Sequence, residues 1–425
     1  MTPSPVPGYE HRIRNYIDSL RIVDTHEHLF DPDQVKNTNF FDFMLLVHQQ
    51  SYEDLISSGM PDTLFNSLFN KPLAPKDKWK IIEPFWRKSF NTSFNRIVLL
   101  TIKNLYKITD LNESTVGPLS EKIKKSYNND WFNRILRDSC RIDYLIQEDD
   151  YIPGKDDFFR YTKKFSPWLS VRSKYRIDSL AVMQVDPIYT LEDFVKSMRV
   201  ALADAVKKGI VAIKINIAYK RPLSFDRVET ETARKVFRSL VNGNEDHVIS
   251  YRDAKPLQDY MFYKLMDLAA EYKLPVAFHT GLQAGGANII GNSNPTLLAN
   301  VFKEYPEINF TLYHGSYPFG GELSTLAKNF KNVYIDMNWT FGISPAYSER
   351  YLNEWLETVP ASKIMAFGGD CRTVEIIYGE LIIAKQIISN VLINKVRDGY
   401  LSESEAKTIA KMILHDNAVK FYNLH

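Results

Sequence analysis

The stretch of sequence that decides the fold is Arg21-Ile-Val-Asp-Thr-His-Glu-His28. Ile22 and Val23 predict a buried β-strand, and His26 and His28 are two residues apart, so on a strand their side chains point to the same face. Two imidazoles that converge at a strand end form half of a metal site. An isolated His-x-His pair is a weak signal, because most such pairs are ordinary surface or core histidines. The positions of the other candidate ligands therefore decide the interpretation.

Seven further short β-rich runs follow along the chain. Four of them carry or end in a residue type that binds metals: 211–216 with Lys214, 274–279 with His279, 308–314 with His314, and 363–370 with Asp370. Three others fit strands without such a ligand, namely 142–147, 179–186 and 333–337. With the first run, the sequence predicts eight strands.

Helical patterns separate the later strands. Thr190 can cap a helix together with Asp193, and a long periodic stretch covers residues 375–396. Eight strands that alternate with helices predict an α/β fold, a parallel (β/α)8 TIM barrel. The chemistry of such barrels lies at the carboxyl ends of the strands. The candidate ligands lie there too, apart from Lys214, which is slightly inside its strand.

The length of the chain predicts an insertion in this barrel. The chain has 425 residues, whereas an ordinary barrel has ~250. We expect residues 1–38 to start the barrel with the first strand, residues 39–141 to form a helical insertion after that strand, and residues 142–425 to form the rest of the barrel and C-terminal helices. Aromatic residues in the insertion are expected to pack it onto the barrel; the alternative is that some of them, with His48, roof the site.

Composition narrows the class of protein. The net charge is +2 without a long basic run, so we expect no nucleic-acid partner. We expect no membrane span and no signal peptide. Cys140 and Cys371 form no metal motif, which favours a reducing, cytoplasmic location. The expected partner is a small-molecule substrate, and a homo-oligomer is allowed.

The positions of the candidate ligands resemble the binuclear pattern of the amidohydrolase superfamily. Residues 279–392 are similar to its nodulin/FluG-type domains, and the helical insertion with Asp370-Cys-Arg372 resembles uronate isomerases, a branch of the same superfamily. The matching segments are His279-Thr-Gly-Leu282, Asn294-Pro-Thr296, Tyr313-His-Gly-Ser-Tyr-Pro-Phe319, Asn332-Val-Tyr-Ile-Asp336, Phe367-Gly-Gly-Asp370 and the ending 413–422.

This resemblance implies one or two divalent metal ions. His26, His28 and Asp370 would bind the more buried ion, and His279 and His314 the more exposed one. Lys214 would bridge the two ions as a carbamate formed with CO₂, because a protonated lysine has only donors and cannot bind a cation. The alternatives are a buried lysine in an ion pair or with its head at the barrel mouth, and a single metal held without it. Zinc is the default expectation, with manganese, iron and nickel as alternatives.

The expected activity is hydrolysis of an amide, ester or lactone carbonyl by metal-activated water, with Asp370 as the group that takes the proton and passes it to the leaving group. One alternative is a lyase or isomerase on the same scaffold, such as a decarboxylase or a uronate-isomerase-like enzyme. Another is a barrel with a vestigial site. Lys214 favours hydrolysis, because the decarboxylases and uronate isomerases of this superfamily generally use one metal and no carbamate.

Substrate contacts are expected in the loops that follow the strands. The cationic candidates for a carboxylate or phosphate clamp are Lys220, Arg221 and Arg372. The alternative for these three is solvated surface charge. Gln184 and Asp186, at the end of the predicted third strand, would bind hydroxyls or amides, and Tyr317 and Trp339 would form an apolar wall.

Overall fold

The structure is a computed structural model that describes residues 7–49, 51–148, 158–184, 187–244 and 247–424. These residues form a single parallel sheet of eight strands in the order β1 to β8. The strands are β1 (Ile22–Glu27), β2 (Ile142–Glu148), β3 (Phe159–Lys164), β4 (Ile210–Ile215), β5 (Val276–Phe278), β6 (Phe310–Leu312), β7 (Val333–Asp336) and β8 (Ile364–Met365). Helices lie between the successive described strands except between β2 and β3, where residues 149–157 lie outside the described part of the chain. The architecture is the (β/α)8 TIM barrel that the sequence predicts.

The third strand is not the one that the sequence predicts. Residues 179–184 of the predicted strand belong to a helix, Lys174–Gln184, and β3 is formed earlier by Phe159–Lys164. A short apolar run cannot be assigned to a strand or a helix by periodicity alone, whereas only Phe159 and Thr162 of β3 are buried. The prediction that Gln184 ends a strand is therefore wrong, because Gln184 ends a helix. Asp186 lies outside the described residues.

Helices fill most of the chain between β1 and β2. They follow α1 (Tyr9–Ser19), which precedes β1, and they are α2 (Pro32–Lys36), α3 (Met44–Val47), α4 (Tyr52–Ser57), α5 (Asp62–Asn70), α6 (Pro75–Ser89), α7 (Ser93–Tyr106), α8 (Val116–Ser126) and α9 (Asn129–Asn133). Buried aromatic rings pack this segment internally: the ring of Trp79 lies 6.2 Å from that of Phe43 and 6.1 Å from that of Trp86.

The remaining helices flank the later strands. They are α10 (Ser166–Leu169), α11 (Lys174–Gln184), α12 (Leu191–Lys207), α13 (Thr230–Val241), α14 (Tyr251–Glu271), α15 (Ala299–Glu304), α16 (Gly320–Asn329), α17 (Thr340–Ile343), α18 (Pro345–Thr358), α19 (Val374–Arg397), α20 (Glu403–Lys411) and α21 (Asn417–Tyr422). The predicted cap of α12 is confirmed, because the backbone N–H of Asp193 donates to Thr190 Oγ1 and the backbone N–H of Thr190 donates to the Asp193 carboxylate.

Helix α19 confirms the long periodic stretch predicted for residues 375–396. Among the described residues it is also long and apolar enough to cross a membrane. However, 67% of its most apolar window is buried inside the protein, as in the core helix of a soluble protein.

The chain forms two compact units. The first unit comprises Met1–Phe159, Ala284–Ala287 and Met337–Ala418, and the second comprises Arg160–Gln283, Asn288–Asp336 and Val419–His425. His26, His28 and Asp370 belong to the first unit, whereas Lys214, His279 and His314 belong to the second. Each set of candidate ligands is therefore described within its own unit.

Candidate metal centre

In the first unit, the loop after β8 runs alongside the end of β1. The backbone N–H of Asp370 donates to the carbonyl of His26 at 2.9 Å, and the N–H of His28 donates to the carbonyl of Cys371 at 2.9 Å. These two bonds extend the pairing of β1 beyond the strand itself. They bring Asp370 next to both histidines, although the three residues are far apart in sequence.

Two glycines make this close approach possible. A Cβ on Gly369 would lie 2.6 Å from Glu27 Oε1, and a Cβ on Gly368 would lie 2.7 Å from Asn338 Cβ. Asp370 itself has a φ of +53°, a left-handed conformation that costs an L-residue roughly 1–2 kcal/mol. Glu27 offsets this cost, because its two carboxylate oxygens accept hydrogen bonds from the N–H groups of Gly369 at 2.7 Å and Cys371 at 2.6 Å.

The polar atoms of the first unit have the spacing of metal ligands. Asp370 Oδ1 lies 3.2 Å from His28 Nε2 and 3.5 Å from His26 Nε2. Glu148 Oε2 lies 3.9 Å from His26 Nε2, and the ligand atoms of His26, His28 and Glu148 all lie within 4.8 Å of one another. Two ligands that bind one tetrahedral zinc ion at 2.0–2.2 Å are roughly 3.3–3.6 Å apart. Imidazole nitrogen and carboxylate oxygen are also the donors that zinc and similar cations prefer, so these residues fit a divalent cation.

Two buried carboxyl groups lie behind these ligands. Burial raises the pKa of Asp24 to about 7, although hydrogen bonds from Glu27 and from the backbone oppose the shift. Burial, and then the neighbouring Asp24, raise the pKa of Glu27 well above its usual range. A shared proton between these two groups limits the negative charge that this part of the interior has to carry near neutral pH.

The segment between β1 and β2 contacts the same loop. Gln49 Nε2 donates a hydrogen bond to the carbonyl of Asp370 at 2.6 Å. The ring of His48 stacks on Phe40 at 5.2 Å, and burial and then Arg372 lower its pKa to about 4. Glu53 accepts a hydrogen bond from the N–H of Gly285. His48 and its neighbours thus border the Asp370 loop.

In the second unit, three adjacent strands carry the remaining candidate ligands. Lys214 pairs with Ala277 in register on β5. His279 directly follows β5, where its N–H donates to the carbonyl of Ile215 at 2.8 Å, and His314 follows β6 and opens a short 3₁₀ turn. Lys214 is buried, and its Nζ lies 3.9 Å from the centre of the Tyr313 ring.

The hydrogen bonds of His279 define its tautomer. Its Nε2 lies 2.9 Å from the carbonyl oxygen of Leu282, and a carbonyl only accepts, so Nε2 carries the proton. In the neutral ring the lone pair is then on Nδ1, which lies 2.9 Å from His314 Nε2. Metal-binding histidines are commonly held in this way, with one ring nitrogen on a carbonyl and the other directed at the ion. At 2.9 Å these two nitrogens are at hydrogen-bond distance, so the two imidazoles have the donor atoms for a second cation but would have to move apart by a few tenths of an ångström to bind it together.

The turn that bears His314 is strained and tightly held. His314 and Ser316 have φ values of +63° and +52°. The Thr280 hydroxyl donates to the carbonyl of Tyr313 at 2.8 Å and lies 2.8 Å from Ser316 Oγ. A Cβ on Gly281 would lie 2.4 Å from the carbonyl oxygen of Tyr317, so only glycine fits there. Such strain persists where the surroundings fix the backbone, and it is concentrated at functional sites.

Of the predicted cationic clamp, Arg221 has a different role. Its guanidinium is buried and binds Asp259 Oδ1 at 2.5 Å and the carbonyl of Ser224 at 2.7 Å. Because the N–H groups of this guanidinium already bind partners inside the protein, they are not available for a substrate anion. Arg221 is therefore no longer a candidate for the substrate clamp. Lys220 and Arg372 are exposed; Lys220 Nζ lies 3.4 Å from Ser170 Oγ, and Arg372 lies over the ring of Phe30 at 5.2 Å.

The predicted apolar wall is only partly accessible. Trp339 is buried and stacks on Phe94 with ring centres 6.0 Å apart. Tyr317 is half-buried in the loop after His314.

Glu148, which the sequence analysis overlooked, is the additional residue near the histidines. The available signal was its position directly after Gln147, where the predicted second strand ends at the same edge as His28.

Comparison with known proteins identifies the family. The sequence profile of the amidohydrolase family matches residues 201–424, more than half of the chain. The chain belongs to the amidohydrolase family. The chain is 26% identical to Protein fluG of Emericella nidulans over 243 residues, which cover 55% of the chain but 28% of that protein. It therefore spans less than a third of the length of that relative.

Uronate isomerases match over a greater length. The chain is 21% identical over 440 residues to the uronate isomerase of Thermotoga neapolitana, and the match covers 95% of each protein. The crystal structure of the uronate isomerase of Thermotoga maritima superimposes with a TM-score of 0.79 and 18% identity over 97% of each chain. At this level of identity the likeness shows a common fold.

Proposed function

We propose that this amidohydrolase is a metal-dependent hydrolase that activates water for attack on an amide, ester or lactone carbonyl of a small, carboxylated molecule. The observation that carries the proposal is the second ligand set. His279 and His314 face each other at 2.9 Å, close in the fold to the buried Lys214, in addition to the set formed by His26, His28 and Asp370. Two sets of candidate ligands favour a reaction that uses two cations.

Each set would hold its own cation. His26, His28 and Asp370 would bind one divalent ion, and His279 and His314 would bind the other with Lys214 in its carbamate form; zinc is the default. Such ions lower the pKa of a bound water to ~7 and polarise a carbonyl oxygen. With the ions bound, Asp370 would take the proton of the attacking water and pass it to the leaving group. Its low exposure, 7%, limits the loss of that proton to solvent.

The carbamate part of the proposal has a competing state. The Tyr313 ring, 3.9 Å from Lys214 Nζ, favours the ammonium form by a cation–π contact. Intact-protein mass spectrometry of metal-loaded protein prepared with bicarbonate should reveal the added mass of one CO₂ on the peptide that contains Lys214. An unmodified lysine in metal-replete protein would contradict the carbamate.

Each unit has one exposed cation that is a candidate for binding the carboxylate of the substrate. Lys220 and Arg372 both follow strand ends that carry candidate ligands. Replacing either by alanine should raise KM for an anionic substrate and leave kcat nearly unchanged, because the contact exists in the ground and transition states alike. The matched control is an uncharged ester of the same substrate, whose KM should not change.

A second candidate function is isomerisation of a uronate. It is supported by the match to a uronate isomerase over 95% of both proteins. The two functions make different demands on His314. Under hydrolysis with two cations, His314→Ala should abolish most turnover; under isomerisation with one cation, it should leave turnover close to that of the parent.

The deciding experiment combines metal analysis with a substrate panel. Protein purified without chelator should contain up to two transition metals per chain, and esters, lactones and amides of small carboxylic acids should release acid or amine. The same protein is also given uronates, and NMR is used to detect conversion of the aldose to the ketose, which the isomerase function predicts. One metal per chain together with ketose formation would overturn the hydrolase proposal.

We also propose a cytoplasmic location. Both cysteines, Cys140 and Cys371, are free and buried, which is compatible with a reducing compartment. The oligomeric state can be measured by light scattering.

A further inference from the structure

Glu148, the last residue of β2, lies close to both histidines of the first unit. It is 3% exposed, and its Oε2 is 3.9 Å from His26 Nε2. Its ligand atom, together with those of His26 and His28, forms a group in which every pair is within 4.8 Å. A carboxylate oxygen beside two imidazole nitrogens is the donor set that zinc and similar divalent cations accept.

Hydrogen bonds of the preceding residue, Gln147, restrain the chain next to Glu148. The side-chain amide of the preceding residue, Gln147, accepts a hydrogen bond from the N–H of Leu29 at 3.0 Å and donates one to the carbonyl of Leu29 at 3.1 Å. Leu29 directly follows His28. Two hydrogen bonds therefore connect Gln147, the residue before Glu148, with Leu29, the residue after His28, in a pattern like that of paired strands. Such a link reduces the conformational freedom of the chain next to Glu148 and His28, as a pre-organised pair of ligands requires.

The charge of the site points in the same direction. Neutral imidazoles bind metals through a lone pair, so His26 and His28 contribute no charge. Asp370 alone would leave a divalent cation with an excess of one positive charge in a buried environment. Glu148 supplies a second negative charge, which makes the group of ligands and cation neutral.

We propose that Glu148 is a ligand of the divalent cation held by His26 and His28, so that this site contains two imidazoles and two carboxylates, with Asp370 as the second. The inference rests on the proposed function only in that it requires the cation. The added oxygen ligand widens the range of acceptable ions toward manganese and ferrous iron beside zinc.

The test measures metal affinity in the full-length chain. The parent carries His314→Ala, so that the site of the first unit is measured alone, and zinc is titrated against a chromophoric chelator. Glu148→Gln should weaken zinc binding at least ~10-fold, the low end for residues that support a metal site. Glu375→Gln is the matched control: it makes the same change at a buried glutamate that binds Tyr106 and Trp131, and it should keep the affinity of the parent.

Two results would overturn the proposal in distinguishable ways. If Glu148→Gln binds zinc like the parent while His26→Ala does not, Glu148 is not a ligand and the proposed function stands. If the parent binds no zinc, the proposed function fails as well.

A second variant covers a failure of Glu148→Gln to fold. Glu148→Asp keeps the charge but shortens the side chain by one methylene, and it should bind cobalt with changed visible absorption bands, because these bands report the ligands of the ion. A cobalt spectrum identical to that of the parent would overturn the inference, since a merely structural role of Glu148 would not alter the spectrum.

Discussion

The sharpest prediction concerns Glu27, which lies between the two histidines but faces away from them toward the Asp370 loop. Its carboxylate oxygens accept the N–H groups of Gly369 and Cys371 at 2.7 and 2.6 Å. We predict that Glu27→Gln loosens Asp370 and weakens metal binding, although glutamine has nearly the same shape. Since burial raises the pKa of Glu27, the change removes an acceptor atom more than a charge.

The size of the effect follows from the two hydrogen bonds. A glutamine amide can accept from only one of the two N–H groups and presents its own NH₂ to the other. A buried N–H left without an acceptor costs about 1–3 kcal/mol of unfolding free energy. The left-handed Asp370, with a φ of +53°, then loses a restraint on one side. Loss of a residue that orients a ligand typically weakens metal binding about 10–100-fold.

The assay compares zinc affinity and stability in matched variants. Glu27→Gln and Glu375→Gln are both isosteric changes at buried glutamates, and urea unfolding of the metal-free proteins should show a loss of stability in both. Only Glu27→Gln should also weaken zinc binding in the chelator titration. Equal zinc affinity of the two variants, despite a measurable loss of stability in Glu27→Gln, would refute the positioning role.

Three further predictions concern the proton, the lysine and pH. Asp370→Asn keeps the size of the side chain but cannot carry the proton, so kcat should fall by at least ~10²-fold in steady-state assays; a near-normal kcat would leave Asp370 only a ligand role. Lys214→Ala should lose the second metal, measured by elemental analysis, and recover activity in part with short carboxylic acids and metal. Burial is the main cause that raises the pKa of Glu53 from 4.5 to about 6. A raised carboxyl pKa means that stability falls as pH rises through 6, so in chelator Glu53→Gln should match the wild type below pH 4.5 and exceed it by about 2 kcal/mol at pH 8. A constant difference across pH would contradict that assignment.

The barrel could be predicted because most of its strands are short apolar runs and the chemistry-bearing residues follow the strands. His26, His279 and His314 each lie at or just after a strand that the structure contains. Strand β3 could not be predicted in this way. Its sequence, Phe159-Arg-Tyr-Thr-Lys-Lys164, gives no apolar run, whereas the residues of α11 do. Parallel pairing with β4 from Tyr161 to Lys164 decides the outcome. The boundaries of the insertion at residues 39 and 141 stay a prediction.

The site could be predicted only where the residue type by itself indicates metal binding. Histidines and a buried lysine are rare enough at strand ends to be noticed, whereas Glu148 resembles any surface glutamate in the sequence. Arg221 illustrates the converse: its position after β4 suggested a substrate clamp, but the partner that occupies it, Asp259, is on α14. Burial and long-range partners decide both cases, and neither quantity can be read from sequence spacing.

The fold alone does not choose between hydrolysis and isomerisation, because a barrel places many kinds of ligands at the ends of its strands. The choice depends on whether the cation site of the second unit takes part in turnover. His314 belongs to a turn whose left-handed residues cost folding energy, and Thr280 and Gly281, which follow His279, fix that turn in place. Backbone strain of this kind is concentrated at functional sites. The strain of the turn is therefore a physical argument that His314 takes part in the reaction. It is also the reason to make the His314→Ala comparison before any search for the natural substrate.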